Sequence, residues 1–168
     1  SATDLLAALA TFPVLGKKGE TYFYNNEVYS SAGYIAALAT KPGDQDLLEV
    51  YKALMQTRVF DPIGMDTAVL SDDPASVSDD YAASYSFSLA GGPEATEFVP
   101  YAAINTVAPA GAVVTNVVDM ARFVITQLNE GINPEGERVV SAENLKETWR
   151  GQTKTGEVLP GASEDMVY

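Results

Sequence analysis

Tyrosine, lysine, aspartate and glutamate are the side chains in this sequence that can accept a proton in catalysis, because its 168 residues include neither histidine nor cysteine. The lack of histidine excludes a Ser-His-Asp triad within the chain. The lack of both residues excludes disulfides, thiolate nucleophiles and metal sites built from them. No serine lies in a Gly-x-Ser-x-Gly turn or three positions before a lysine, so the usual serine-nucleophile motifs are missing as well. Any base that the chain supplies must therefore be a phenol, an amine or a carboxylate.

The net charge of −13 restricts the partners that the chain can bind. A field of this sign repels phosphate backbones and anionic lipid, so we expect no nucleic-acid partner. The pairs Asp72-Asp73, Asp79-Asp80 and Glu164-Asp165 lie in no Asp-x-Asp-x-Asp-Gly loop, so we expect a solvated acidic surface rather than calcium ligands. No run approaches the roughly 20 apolar residues of a membrane-spanning helix, and we expect no membrane span.

The stretch Tyr24-Asn25-Asn26 stands directly before a segment with helical periodicity and allows two interpretations. In the first, Tyr24 makes an aromatic contact at the start of a helix, and Asn26 is the N-cap of that helix. In the second, the tyrosine and the asparagine point into an active site. Residue types alone do not separate these two interpretations.

Four blocks, in this order along the chain, resemble the β-lactamase-like, or penicillin-binding-type, family of serine hydrolases. They are Tyr24-Asn25-Asn26 (a Tyr-x-Asn motif), residues 59–65 (Val-Phe-Asp-Pro-Ile-Gly-Met), residues 109–123 (which begin Pro-Ala-Gly and end Asp-Met-Ala-Arg-Phe) and residues 140–143 (Val-Ser-Ala-Glu). The resemblance covers about residues 20–150 and favours the active-site interpretation of Tyr24. In an alternative register, Tyr29-Ser30-Ser31 takes the place of the Tyr-x-Asn motif. This register resembles family members in which another residue replaces the motif's asparagine.

The resemblance implies a two-step acyl transfer through a serine, without a metal or an organic cofactor. Tyr24 would share proton transfer with a lysine. An ordinary phenol has a pKa of about 10, and the nearby ammonium group would lower this pKa towards a value useful for a base at neutral pH. Asn26 would orient that lysine and hold a substrate carbonyl, because its amide both donates and accepts hydrogen bonds. Gly111 would permit a close backbone turn and line the cleft. The substrate is left open among a β-lactam, a D-amino-acid peptide and an ester.

The sequence departs from the family pattern in two places. The family's Ser-x-x-Lys helix is absent, and Lys154-Thr155-Gly156, which spells the family's third motif, lies among polar residues without a recognisable strand. We therefore expect this tripeptide to be a surface turn. We also expect the chain to be a fragment that is inactive alone, whose partners would be the sheet domain of the same parent and, through it, a small-molecule or peptide substrate. The alternatives are a non-catalytic binding module of the same family and an unrelated helical interaction domain.

The elements that must position these residues are helices separated by long loops. Helical periodicity runs from about residue 26 to residue 40, and an apolar stripe marks the next helix, for which Asp44 is the expected cap. Residues 66–110 are rich in small and polar residues, with Tyr85-Ser86-Phe87-Ser88 as an expected edge strand. Further helices are expected after Thr115-Asn116 and after Ser141. The expected fold is mainly α, with long loops and at most small strands. It corresponds to the helical lobe of an α/β β-lactamase-like (DD-peptidase) fold, in a single domain over residues 1–168.

Overall fold

Helices alternate with long loops and two short antiparallel sheets in the residues that the computed structural model describes, which are 1–17, 19–88, 91–96 and 103–155. The helices are α1 (Ala2–Leu9), α2 (Asn26–Ala39), α3 (Leu47–Met55), α4 (Asp61–Ile63), α5 (Ala103–Thr106), α6 (Val117–Leu128) and α7 (Ala142–Thr148). The strands are β1 (Val69–Leu70), β2 (Ser84–Ser88), β3 (Gly92–Thr96) and β4 (Val113–Val114). This architecture confirms the expected mainly helical fold with small strands. Gly156 and the Glu164-Asp165 pair lie outside the described residues.

The N-caps of α2 and α3 are neither Asn26, which one interpretation of the sequence made a cap, nor Asp44, which was the expected cap. Asn25, and not Asn26, caps α2, because its side-chain Oδ1 accepts a 2.7 Å hydrogen bond from the backbone N–H of Val28. Asp46, and not Asp44, caps α3 by accepting hydrogen bonds from the N–H groups of the first helical turn. The serine and asparagine predicted to cap α7 and α6 do so.

A first apolar core joins α1, α2 and α3. Its buried members are Ala2, Tyr34, Ala37, Leu47 and Tyr51. The rings of Tyr34 and Tyr51 meet edge to face, with centroids 6.0 Å apart and an interplanar angle of 68°, which is a favoured aromatic geometry. This core fixes the orientation of α2, the helix that follows the Tyr-x-Asn motif.

A second core closes the end of the α3–α4 segment. Helical backbone continues from α3 to α4 through a π-helical turn, Gln56–Phe60, and it ends at Gly64, whose φ of +77° is in the left-handed region. Phe60, Ile63, Met65 and Ala68 are buried together. The block of residues 59–65 thus ends a helix and fills a core, as its sequence indicates.

The two small sheets connect distant parts of the chain differently. Strands β1 and β4 pair antiparallel, with Val69 opposite Val114, whereas β2 and β3 form a hairpin. The buried Asp119 carboxylate reinforces the first pair, because it accepts hydrogen bonds from the backbone N–H (2.9 Å) and the hydroxyl (2.6 Å) of Thr67. The start of α6 is thereby held beside β1. Among the described residues, no helix combines the length and the apolar character that crossing a membrane requires.

Candidate active site

An open groove of about 1050 Å³ lies at the N-terminal end of α2. Among the described residues, three parts of the chain form its walls: the segment that leads into α2 together with that helix's first turn, the turn before β4 with the first residue of β4, and a short stretch after α7. The lining residues are Phe12, Pro13, Leu15, Thr21, Tyr22, Phe23, Tyr24, Asn25, Asn26, Val28, Tyr29, Pro109, Ala110, Gly111, Val113, Gln152 and Thr153. All three residues that the sequence singled out, Tyr24, Asn26 and Gly111, are among them.

The cap of α2 presents Tyr24 and Asn26 to the groove. Because Asn25 takes the capping position, the amide of Asn26 is not needed for the Val28 N–H. Tyr24 stands just before the cap, and its side chain is 64% exposed. The two candidate side chains therefore flank a residue with a structural task, on a turn that a hydrogen bond holds in place.

The alternative register, Tyr29-Ser30-Ser31, places its residues differently. Tyr29 also lines the groove. Ser30, however, is completely buried and donates its hydroxyl to the carbonyl of Val107, at 3.1 Å. Ser31 donates its hydroxyl to the carbonyl of Val28 within the helix, at 2.6 Å, and does not line the groove. This geometry favours the register that begins at Tyr24.

The wall that carries Gly111 is held against one face of α2. Tyr34 is fully buried, and its hydroxyl lies 3.1 Å from the carbonyl oxygen of Asn105 and 3.0 Å from that of Thr106, within hydrogen-bonding distance of both. A Cβ placed on Gly33 would approach the Cβ of Pro109 to 2.6 Å, so only glycine permits this close packing. Burial, with smaller contributions from Tyr51 and Asp46, raises the pKa of Tyr34 to about 12. The buried face of α2 thus sets the position of the Pro109-Ala110-Gly111 turn across the groove from the helix start.

The third wall consists of residues that the sequence reading did not select. Gln152 and Thr153 line the groove directly before the Lys154-Thr155-Gly156 tripeptide. Lys154 is exposed and takes part in a β-bridge, and the surface turn expected for the tripeptide stays a prediction because Gly156 lies outside the described residues. The nearby Lys-Thr-Gly letters were the only signal that this stretch belongs to a site. Likewise, Phe12 and Leu15 gave no signal beyond being apolar residues in a loop.

None of the ion-paired side chains in the described part of the chain lines the groove. Arg122 forms a 2.6 Å ion pair with Glu135, as expected for a helix-surface arginine. This pair raises the pKa of Arg122 and lowers that of Glu135. The groove itself combines a phenol, an asparagine amide and an open backbone turn, which suits proton transfer and the binding of a carbonyl group.

Comparisons with known proteins bear on the fold and the family of the chain. Comparison with curated proteins gives no match. The solved octameric penicillin-binding protein homologue from Pyrococcus abyssi is similar to 96% of this chain, with a TM-score of 0.71 and 20% sequence identity. The chain spans only 33% of that protein's length, and at this identity the likeness shows a shared fold. The beta-lactamase family model matches residues 1–163, and the chain therefore belongs to the beta-lactamase family.

Proposed function

We propose that this chain supplies one side of the active site of a serine hydrolase that works through an acyl-serine. Tyr24 is the proton shuttle, Asn26 holds the substrate carbonyl and orients the catalytic lysine, and Gly111 lines the cleft opposite them. The observation that carries the proposal is that Gly111 lines the same groove as Tyr24 and Asn26, which stand more than 80 positions earlier in the sequence. The substrate is a β-lactam, a D-amino-acid peptide or an ester, and the chain's residues act without a metal or an organic cofactor.

The reaction also needs a nucleophile, which no Ser-x-x-Lys motif in these 168 residues supplies. The serine and its lysine would come from polypeptide outside this sequence, together with the sheet domain of the same parent. Attack of the serine on the substrate carbonyl would pass the hydroxyl proton to the Tyr24–lysine pair and then to the leaving group. Water would then attack the acyl-serine and pass a proton to the Tyr24–lysine pair. That pair would return the proton to the serine oxygen as it leaves. The 168-residue chain alone is therefore inactive.

The first experiment is to sequence the gene on both sides of the codons for Ser1 and Tyr168 and to express the product of the whole reading frame. We expect Ser-x-x-Lys upstream and hydrolysis of nitrocefin or a p-nitrophenyl ester by the whole product. In that product, Tyr24→Phe is expected to lower kcat by about 10²-fold or more with little change in KM, because it removes a proton shuttle used in the transition state. Tyr85→Phe, on an exposed tyrosine outside the groove, is the matched control.

The rival proposal is a non-catalytic binding module, and the absence of Ser-x-x-Lys from the chain favours it. A reading frame that starts and stops at these residues would support this rival. Rapid hydrolysis by the 168-residue chain itself would contradict both proposals. Full activity in the Tyr24→Phe variant of an active whole product would remove Tyr24 from the mechanism.

A further inference from the structure

None of the residues that line the groove in the described part of the chain carries a charge. A fifth of the chain is Asp, Glu, Lys or Arg, so the groove differs from the chain as a whole. Ion pairs such as Arg122–Glu135 lie elsewhere. A site for a substrate carboxylate needs a fixed cation of its own, because an ion loses hydration energy when it is bound, and the catalytic lysine of the proposed function is already engaged by Tyr24 and Asn26.

The groove also exposes an unusual amount of apolar side chain. Phe12, Leu15, Phe23 and Tyr29 are between 58% and 73% exposed. Large apolar patches of this kind mark binding surfaces. Ligand sites are typically apolar with a few polar groups that fix orientation, and here Asn26 and Thr153 are such groups.

The charge of the whole chain also disfavours an anionic ligand. A net charge of −13 disfavours the approach of an anion. The cation nearest to the groove in sequence is Lys154, which follows the lining residue Thr153 but does not line the groove. β-Lactam antibiotics and peptides with a free C-terminus carry a carboxylate, whereas simple esters do not. The three substrates left open by the motifs can therefore be separated by charge.

We infer that this groove binds an uncharged ester with an aromatic or other apolar acyl group, in preference to a carboxylate-bearing β-lactam or peptide. The inference rests on the proposed function, because it assigns a substrate class to the same site. The apolar side chains contact the acyl group, and Asn26 holds its carbonyl oxygen.

The test compares two ligands that differ in charge and by one methyl group. The ¹⁵N-labelled 168-residue chain is titrated by NMR with N-phenylacetyl-D-alanine methyl ester and, separately, with the free acid. We expect the ester to shift the amide signals of groove residues such as Asn26, Gly111 and Thr153, with a Kd at least tenfold lower than that of the acid. Equal or tighter binding of the acid would overturn the inference. Shifts absent with both ligands would also overturn it and would identify the groove as a packing surface for another part of the parent.

A charge variant tests the same inference from the side of the protein. Val113→Lys places a cation in the groove, at a side chain that is 43% exposed. It is expected to tighten binding of the acid and to weaken binding of the ester. Val124→Lys adds the same charge at a similarly exposed position on α6 that does not line the groove, and it is expected to leave the preference unchanged. The same response in both variants would mean that the overall field, and not the groove, sets the preference.

The two proposals fail in different ways. Tyr24→Phe removes only a hydroxyl, so it is expected to leave ester binding by the chain within about twofold while it lowers kcat in the whole product by about 10²-fold or more. Ester binding without turnover in any whole product would leave the ligand class in place and overturn the hydrolase. Turnover restricted to carboxylate-bearing substrates would support the hydrolase and overturn the ligand class.

Discussion

Two adjacent asparagines at the start of α2 have separate tasks. Asn25 caps the helix, and Asn26 lines the groove without capping. Asn25→Ala is expected to lower the free energy of unfolding by about 1 kcal/mol, because the Val28 N–H loses its acceptor. Asn26→Ala, the matched control one residue later, is expected to change it by less than about 0.5 kcal/mol. Urea denaturation followed by circular dichroism measures both values.

A conservative variant separates the cap from other effects of truncation. Asn25→Ser keeps a capping oxygen, so most of the lost stability should return. If Asn26→Ala proved the more destabilising of the two alanine variants, the assignment of the cap to Asn25 would be wrong.

At the scale of single residues, the sequence was least informative about which residue caps each helix. Asn25 and Asn26 are the same residue type, and Asp44 and Asp46 are both good caps. The sequence offered Asn26 as one possible cap and Asp44 as the expected cap, and the structure uses the neighbouring Asn25 and Asp46 instead. The direction in which the chain enters the helix decides between such neighbours, and tertiary contacts set that direction. The family, by contrast, was predictable, because Tyr24-Asn25-Asn26 is followed by three further blocks in the family's order.

Helix α2 connects the fold to the site, because one face of it lies in the core and its N-terminus lines the groove. Its central contact is Tyr34, whose buried hydroxyl bonds to the carbonyl groups of Asn105 and Thr106. Tyr34→Phe would leave these carbonyl groups without that donor, so we expect a loss of about 1–3 kcal/mol of stability at neutral pH. Tyr85→Phe, at an exposed tyrosine, should cost almost nothing in the same urea titration.

The same tyrosine makes stability depend on alkaline pH. The pKa of Tyr34 is about 12 in the folded protein and about 10 in an unfolded chain. Its contribution is therefore complete below pH 10 and is lost as the pH rises towards 12, because the unfolded state gives up its proton first. The loss amounts to roughly 2–3 kcal/mol. Urea unfolding at pH 8, 10, 11 and 12 should show a smaller decline in Tyr34→Phe than in the unsubstituted chain, and equal declines would exclude Tyr34 as the cause.

Elements with strong local patterns were predictable, and elements that depend on distant partners were not. The apolar stripe that includes Tyr51 predicted α3, and the bounds of α2 were predicted within one residue. Strands β1 and β4 have two residues each and pair across more than 40 positions, so neither has a periodicity to detect. The π-helical turn before Asp61 also has no pattern of its own, because it continues the same apolar stripe.

At the scale of the whole molecule, the groove depends on long-range packing that sequence patterns do not encode. Its walls come from three separate segments, and Gln152 and Thr153 join Tyr24 only in the folded chain. Charge is the whole-molecule property that composition does give. The net charge is −13, and the ion pairs in the described part of the chain join side chains that are each at least 34% exposed.

The net charge and the exposure of the ion pairs together predict how salt changes the thermal stability. Exposed ion pairs contribute little each, whereas the net charge makes the folded chain repel itself. Added sodium chloride is therefore expected to raise Tm in thermal unfolding at pH 7, because screening weakens the repulsion more than it weakens the pairs. Screening is largely complete once the Debye length falls below about 8 Å, near 0.15 M salt, so the rise should level off by a few tenths molar. A fall in Tm would mean that the ion pairs outweigh the repulsion, and a rise that continues steadily into the molar range would indicate salting-out of apolar surface instead.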